Sequence, residues 1–321
     1  MSSKKYKFDP ELWLFSKMNV PIIPVLLPVM QKVLRLLTLG EHSDRKVRVR
    51  HGRIPSWDGK KLRTTIYTSR EFQRNGPCVL VFHGGGFVYP ASLHHYVLAR
   101  KLAKELKAKA ILVDYRLAPG HHFPVPLEDA CSAYQWILEN SDSLGIDREK
   151  IAVCGDSAGG NLAATVCLWA RDNRLTGPCG QVLIYPFLDG RLRTRSMQKF
   201  TDTPMCSTRA MKKYLQLYLP SGHQKYSLCE IPREYFSPAE AASFEGLPPA
   251  LIEVAQYDCL RDEGIHYARR LERAGVAAQV YRVRGAMHGY DIATGTRLMK
   301  RCMENRIAFL KNVFEEETTC R

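Results

Sequence analysis

The stretch VCGDSAGGNLAATV, residues 153–166, constrains this chain more than any other. An apolar β-type run stops there and a helix-forming run begins, with one serine held between Gly155 and Gly159. Glycines two before and two after a residue suit a strand that bends sharply into a helix, because side chains there would collide. Ser157 is then lifted above the sheet edge as a candidate nucleophile. The N–H of Ala158 opens the helix beside it, where unpaired amides and the helix dipole favour negative charge. A plain glycine-rich turn is the alternative, and a bare G-x-S-x-G arises by chance. The strand before it and the helix after it favour chemistry.

The rest of the chain repeats that alternation. Strands are expected at Val47–Ile54, Leu62–Thr68, Cys78–Phe82, Ala110–Asp114, Ile151–Cys154, Val182–Tyr185, Ala250–Ala255 and Ala278–Val283. CVLVF and ILVDY are apolar on both alternations, as strands covered on both faces are. Helical patterns fall at Leu93–Leu106, Leu127–Asn140, Leu162–Arg174, Gly264–Ala274 and Leu298–Phe314. Strand-then-helix order predicts an α/β fold with a mostly parallel eight-stranded sheet flanked by helices. Two stretches break the order, residues 1–40 and about 189–237. Both are expected to form a helical cap over the carboxyl ends of the strands, where open α/β sheets bind ligands. Residues 41–321, apart from that insertion, are the expected catalytic domain.

Acyl transfer needs donors for an oxyanion. His83-Gly84-Gly85-Gly86-Phe87 follows a strand, and its glycines let backbone N–H groups approach a ligand. Gly85 is the expected donor, with Gly84 or Gly86 beside it and Ala158 opposite. A phosphate loop is disfavoured, because neither Lys-Ser/Thr nor GxGxxG spacing follows. His83 is read as a brace for the loop.

A serine also needs a base, and the base needs a carboxylate to orient it. On this kind of sheet the chain order is Ser, acid, His. After Ser157 come only His223, His266 and His288. His223 falls in the cap insertion and His266 inside a helix. His288 follows the strand AQVYRV and is the expected base. Asp258 follows the strand ALIEVA and is the favoured acid. Asp262 is a rival that helix N-capping already explains, and Asp189 is a second.

These residues bring a family into view. HGGGF at 83–87, DYRLAP at 114–119, GDSAGG at 155–160, DCLRDEG at 258–264 and HGY at 288–290 match it in order and spacing. The chain resembles the hormone-sensitive-lipase-like branch of the α/β-hydrolase fold over about residues 45–315. The resemblance implies carboxylic ester hydrolysis by Ser157, Asp258 and His288, an oxyanion hole from the HGGG loop plus Ala158, and short to medium acyl chains. An amidase or lactonase would use the same machinery. Hormone receptors on this fold bind without hydrolysis, but they depart at the histidine, which is present here. Gly120 and His122 depart from the family pattern and put the local loop geometry in question.

Composition limits the partners. The formal charge is +15, with Lys and Arg spread along the chain and densest at Arg45–Arg53, Arg191–Lys199 and Arg269–Arg273. No nucleic-acid module accompanies them. A solvated basic surface is the plain reading, with anionic substrates or a membrane surface as the alternatives. The ten cysteines lie at least twelve positions apart, so CxxC metal and redox motifs are excluded. A cytoplasmic enzyme acting on a small-molecule ester, without metal or organic cofactor, is expected. The apolar run Val20 to Met30 is broken by prolines and too short to span a bilayer. The last strand leaves a sheet edge as the expected homodimer contact.

Overall fold

A computed structural model describes residues 6–19, 21–37, 41–219 and 231–315. His223 lies outside the described residues. The eight strands are β1 (Val47–Pro55), β2 (Lys61–Ser69), β3 (Gly76–Phe82), β4 (Lys109–Asp114), β5 (Ile146–Asp156), β6 (Gln181–Ile184), β7 (Ala250–Tyr257) and β8 (Ala278–Met287). They form one sheet in the order β1-β2-β4-β3-β5-β6-β7-β8. The pairs β1/β2 and β2/β4 are antiparallel, and every later pair is parallel.

The doubly apolar strands have the physical role their sequences imply. Leu80, Val153, Leu183 and Ile252 enter a core on one face of the sheet. Their chain neighbours Val79, Ala152, Val182 and Leu251 enter a second core on the other. Helices α3 (Val125–Glu139), α5 (Ala158–Asp172) and α8 (Arg261–Arg273) cover the first face. Helices α2 (Leu93–Glu105) and α9 (Arg297–Glu315) cover the second.

The remaining helices are α1 (Leu27–Leu37), α4 (Ser141–Leu144), α6 (Arg195–Lys199) and α7 (Thr208–Tyr218). Three of them, α1, α6 and α7, belong to the stretches that break the strand–helix order. Gln31 on α1 donates through Nε2 to the carbonyls of Val88 and Ala118, at 2.8 and 2.9 Å. His122 donates through Nδ1 to Leu217 O at 2.9 Å, so one departure from the family pattern ties α7 to the main domain.

One capping expectation fails. Helix α8 starts at Arg261, and Asp262 lies inside its first turn. Asp258 accepts the N–H of Leu260 at 2.9 Å, which tightens the loop and starts the helix early. Asp262 instead accepts the N–H of Ser196 at 2.8 Å and pairs with Arg261.

Candidate active site

The site is assembled at the carboxyl ends of β3, β5, β7 and β8. Ser157 lies between β5 and α5 with φ 54° and ψ −115°, a strained conformation for a residue with a side chain. The strain persists because the backbone around it is over-determined. Ser157 N–H donates to Ile184 O at 2.9 Å, and its carbonyl accepts from Phe187 and Asn161. A Cβ on Gly155 would stand 2.2 Å from Gly159 O, and one on Gly159 would stand 2.1 Å from Phe82 O. The glycines therefore allow three backbone segments to meet beneath the serine.

The structure brings Ser157, Asp258 and His288 together from positions far apart in the chain. His288 Nε2 is 2.9 Å from Ser157 Oγ, and its Nδ1 is 2.8 Å from Asp258 Oδ2. All three residues are buried. With Nδ1–H donating to the carboxylate, Nε2 presents its lone pair to the serine hydroxyl. Burial alone would push the imidazole pKa down. The Asp258 carboxylate, with Cys206 adding to it, outweighs burial and raises it above the ordinary 6.5. The rivals are occupied elsewhere. Asp189 pairs with Arg191 at 2.7 Å, and His266 lies within α8.

The HGGG loop requires one correction. Gly84, expected among the oxyanion donors, gives its N–H to Asp156 Oδ1 at 2.8 Å. That amide is therefore turned away from the substrate side. Among the described residues, Gly85 and Gly86 donate to no acceptor outside regular elements, and the N–H of Ala158 opens α5, where amides lack an intrahelical partner. The Gly85 carbonyl accepts from Val88 and Tyr89, which fixes the peptide plane. Gly85 itself has φ +111°.

Asp156 and His95 are participants that the motif reading passed over. His95 Nε2 lies 3.1 Å from Asp156 Oδ1, and its Nδ1 accepts the N–H of Ser92 at 2.9 Å. Burial opposes ionisation of Asp156, but His95 beside it holds the carboxyl well below its usual range. The signal was present as the aspartate inside G-D-S and a histidine twelve residues after His83. His83 is the brace expected of it. It bonds to Gly84 O at 2.8 Å and stacks on Tyr115 with centroids 4.3 Å apart. Burial, helped by His95, lowers its pKa to about 3. His94, His95 and Asp156 place ligand atoms within 4.8 Å of one another, a spacing that a metal would accept. Two of the three already bond to each other and to backbone amides, which assigns them to holding the loop.

A buried ion pair supports the His288 loop. Arg306 on α9 donates to Glu253 on β7 at 2.9 and 2.6 Å. Tyr290, two residues after His288, donates its hydroxyl to the same carboxylate. The Tyr185 ring stands 4.6 Å from the His288 ring, with its hydroxyl bonded to Asp291.

A cavity of about 300 Å³ opens on Ser157. Its chemical floor is Ser157, His288 and the glycine loop, and its walls are Met30 and Leu34 from α1 and Met211 and Tyr214 from α7. Both stretches that break the alternation thus contribute to one wall.

A buried serine, imidazole and carboxylate in hydrogen-bonded series, beside unpaired amides on an α/β sheet, define the serine-hydrolase class. A family described by the α/β-hydrolase fold matches residues 79–292. Among curated relatives, an arylesterase of Saccharolobus solfataricus is 32% identical over 89% of this chain and 90% of its own. Esterase LipI of Mycobacterium tuberculosis is 38% identical over 68% of this chain and 67% of its own. A solved bacterial heroin esterase superposes with a TM-score of 0.86 at 32% identity, covering 97% of this chain and 99% of that one. The chain belongs to this α/β-hydrolase family, on the hormone-sensitive-lipase-like, carboxylesterase side of it, and is a carboxylic ester hydrolase.

Proposed function

We propose that Ser157 is the nucleophile, His288 the general base and acid, and Asp258 the group that orients and stabilises the imidazolium. The observation that carries this reading is the continuous series Asp258–His288–Ser157, with contacts of 2.8 and 2.9 Å. His288 Nε2 takes the Oγ proton as Oγ bonds to the ester carbonyl carbon. The carbonyl oxygen becomes an oxyanion facing the amides of Gly85, Gly86 and Ala158. Its collapse breaks the bond to the alkoxide, which leaves with the proton from Nε2. Water then gives a proton to Nε2 as its oxygen bonds to the acyl carbon, and collapse breaks the bond to Oγ, which takes the proton back from Nε2 as the acid is released.

The described parts of residues 1–40 and about 189–237 form the cap in this reading, which the shared cavity wall supports; residues 1–5, 20, 38–40 and 220–230 lie outside the described residues. The cavity volume lies at the small end for ligand sites, favouring short to medium acyl chains. The cytoplasmic assignment rests on the cysteine spacing. The homodimer assignment rests on the outer edge of β8, which has no neighbouring strand among the described residues.

The test is a chain-length series of p-nitrophenyl esters, run on wild type and Ser157→Ala with fluorophosphonate labelling. Turnover is expected to fall by roughly 10⁴–10⁶ in the variant. Label is expected on the wild type alone. Wild-type rates in pure Ser157→Ala would overturn the assignment.

A further inference from the structure

Among the described residues, twelve large apolar side chains are exposed, and nine of them fall between Trp13 and Leu36. This is not the scatter of a normal soluble surface. Helix α1 shows how it arises. Leu27, Met30 and Leu34 turn toward the protein at helical spacing, while Val29, Val33 and Leu36 turn outward. Val29 and Leu36 are 60% and 66% exposed, and Val25 just before the helix is 87% exposed. One helix thus presents an apolar wall to the cavity and a second apolar face to the surroundings.

The charged residues of the segments that form this surface have one sign, and one of them, Arg35, is paired with Asp114 at 3.1 Å. Residues 13–36 contain Lys17, Lys32 and Arg35 and no Asp or Glu. Helix α7, which shares the cavity wall with α1, exposes Arg209, Lys212 and Lys213 and also contains no acid. An apolar face on a segment that carries Lys17 and Lys32, with the cations of α7 beside the same cavity, matches the interface of an anionic bilayer, where acyl chains take the apolar side chains and headgroups take the cations. A second copy of the chain fits poorly. A two-fold contact through this face would set the same cations against one another. No described helix is long and apolar enough to cross the membrane, so the contact lies along its surface.

We propose that residues 13–19 and 21–36, with the cationic side of α7, dock the protein on an anionic lipid surface and that its ester substrates enter the cavity from that surface. The substrate part rests on the esterase reading above; the docking part stands without it. Docking places Met30 and Leu34 between the lipid and Ser157. An apolar ester then reaches the serine without crossing bulk water.

The experiment is flotation of the full chain with phosphatidylcholine vesicles, with and without phosphatidylglycerol. Wild type is expected to float with the anionic vesicles only, and added salt is expected to release it. Val29→Asp/Val33→Asp is expected to lower partitioning at least about ten-fold. Lys212→Glu/Lys213→Glu is expected to lower it about five-fold or more for each charge removed. Hydrolysis of soluble p-nitrophenyl acetate and fluorophosphonate labelling, both unchanged in these variants, show that they are folded. Loss of labelling in wild type would defeat the esterase reading while leaving flotation interpretable. Equal flotation with both vesicle types, wild-type flotation of both variants, or a concentration-dependent dimer split by Val29→Asp/Val33→Asp would overturn the proposal.

Discussion

The floor and the wall of the cavity are held by different physics. The floor is set by backbone. Ser157, the glycine loop and their amides are fixed by hydrogen bonds between strand ends and by glycines packed against main chain. The wall is set by side chains. Methionines, Leu34 and Tyr214 line it, and α1 is tied down chiefly by Gln31 and an ion pair from Arg35 to Asp114 at 3.1 Å. A backbone-built floor resists rearrangement, which suits electrostatic preorganisation. A methionine-lined wall accommodates varied shapes. The contrast separates residues whose loss damages the reaction from those whose loss changes what is accepted.

The sharpest way to break the contrast is on the floor. Asp258→Asn keeps the shape and favours the wrong imidazole tautomer. A fall in kcat of about 10⁴ is expected, with little change in KM. A comparable rise in KM would show that Asp258 also shapes binding.

Asp156→Asn tests whether the floor needs its charged brace. An amide oxygen can still accept from Gly84, but the charge-assisted hydrogen bond from His95 is lost. The expected cost is about 1.5–3 kcal/mol of stability, read by denaturant unfolding. The fall in kcat should stay short of the roughly 10²–10³ that follows outright loss of an oxyanion donor.

A pH series separates activity from stability at one residue. The folded-state pKa of His288 is raised above 6.5. The protonated pair with Asp258 therefore stabilises the fold fully below the unfolded value, and this contribution is lost as pH rises through the folded value. In the proposed mechanism His288 works as a base only once that proton is gone. Activity is expected to rise with pH over the window in which this contribution declines, measured by kcat/KM and Tm profiles. Asp258→Asn should flatten the His288 contribution to both.

The smallest effect belongs to the wall. Gln31→Ala removes two hydrogen bonds, worth about 1 kcal/mol each, that hold α1 to the main domain. KM for longer acyl esters is expected to change a few-fold, with kcat on acetate esters kept. An equal loss on every ester would erase the distinction between floor and wall.

The same distinction explains what was legible in the sequence. Strand positions were readable because apolar runs on a buried sheet have few other uses. Their ends were less so: β5 begins at Ile146 and β8 continues to Met287. That Ser157, Asp258 and His288 meet was legible because each follows a strand on this fold. Gly84 misled because an amide's acceptor is set by a residue 72 positions away, Asp156. Asp262 misled because its capping role depends on where the preceding loop tightens. The inner and outer faces of α1 could not be separated by pattern, since apolar residues occupy both.

The pair Arg306–Glu253 has a consequence for the order in which the enzyme comes into being. Ser157 is made well before His288, whose strap is anchored through Tyr290 to a carboxylate with a counter-ion encoded 53 residues after that carboxylate. In the proposed reading, hydrolytic competence therefore waits until all eight strands of the sheet have been made. A nascent chain that has emerged only as far as α8 carries the serine without the means to use it.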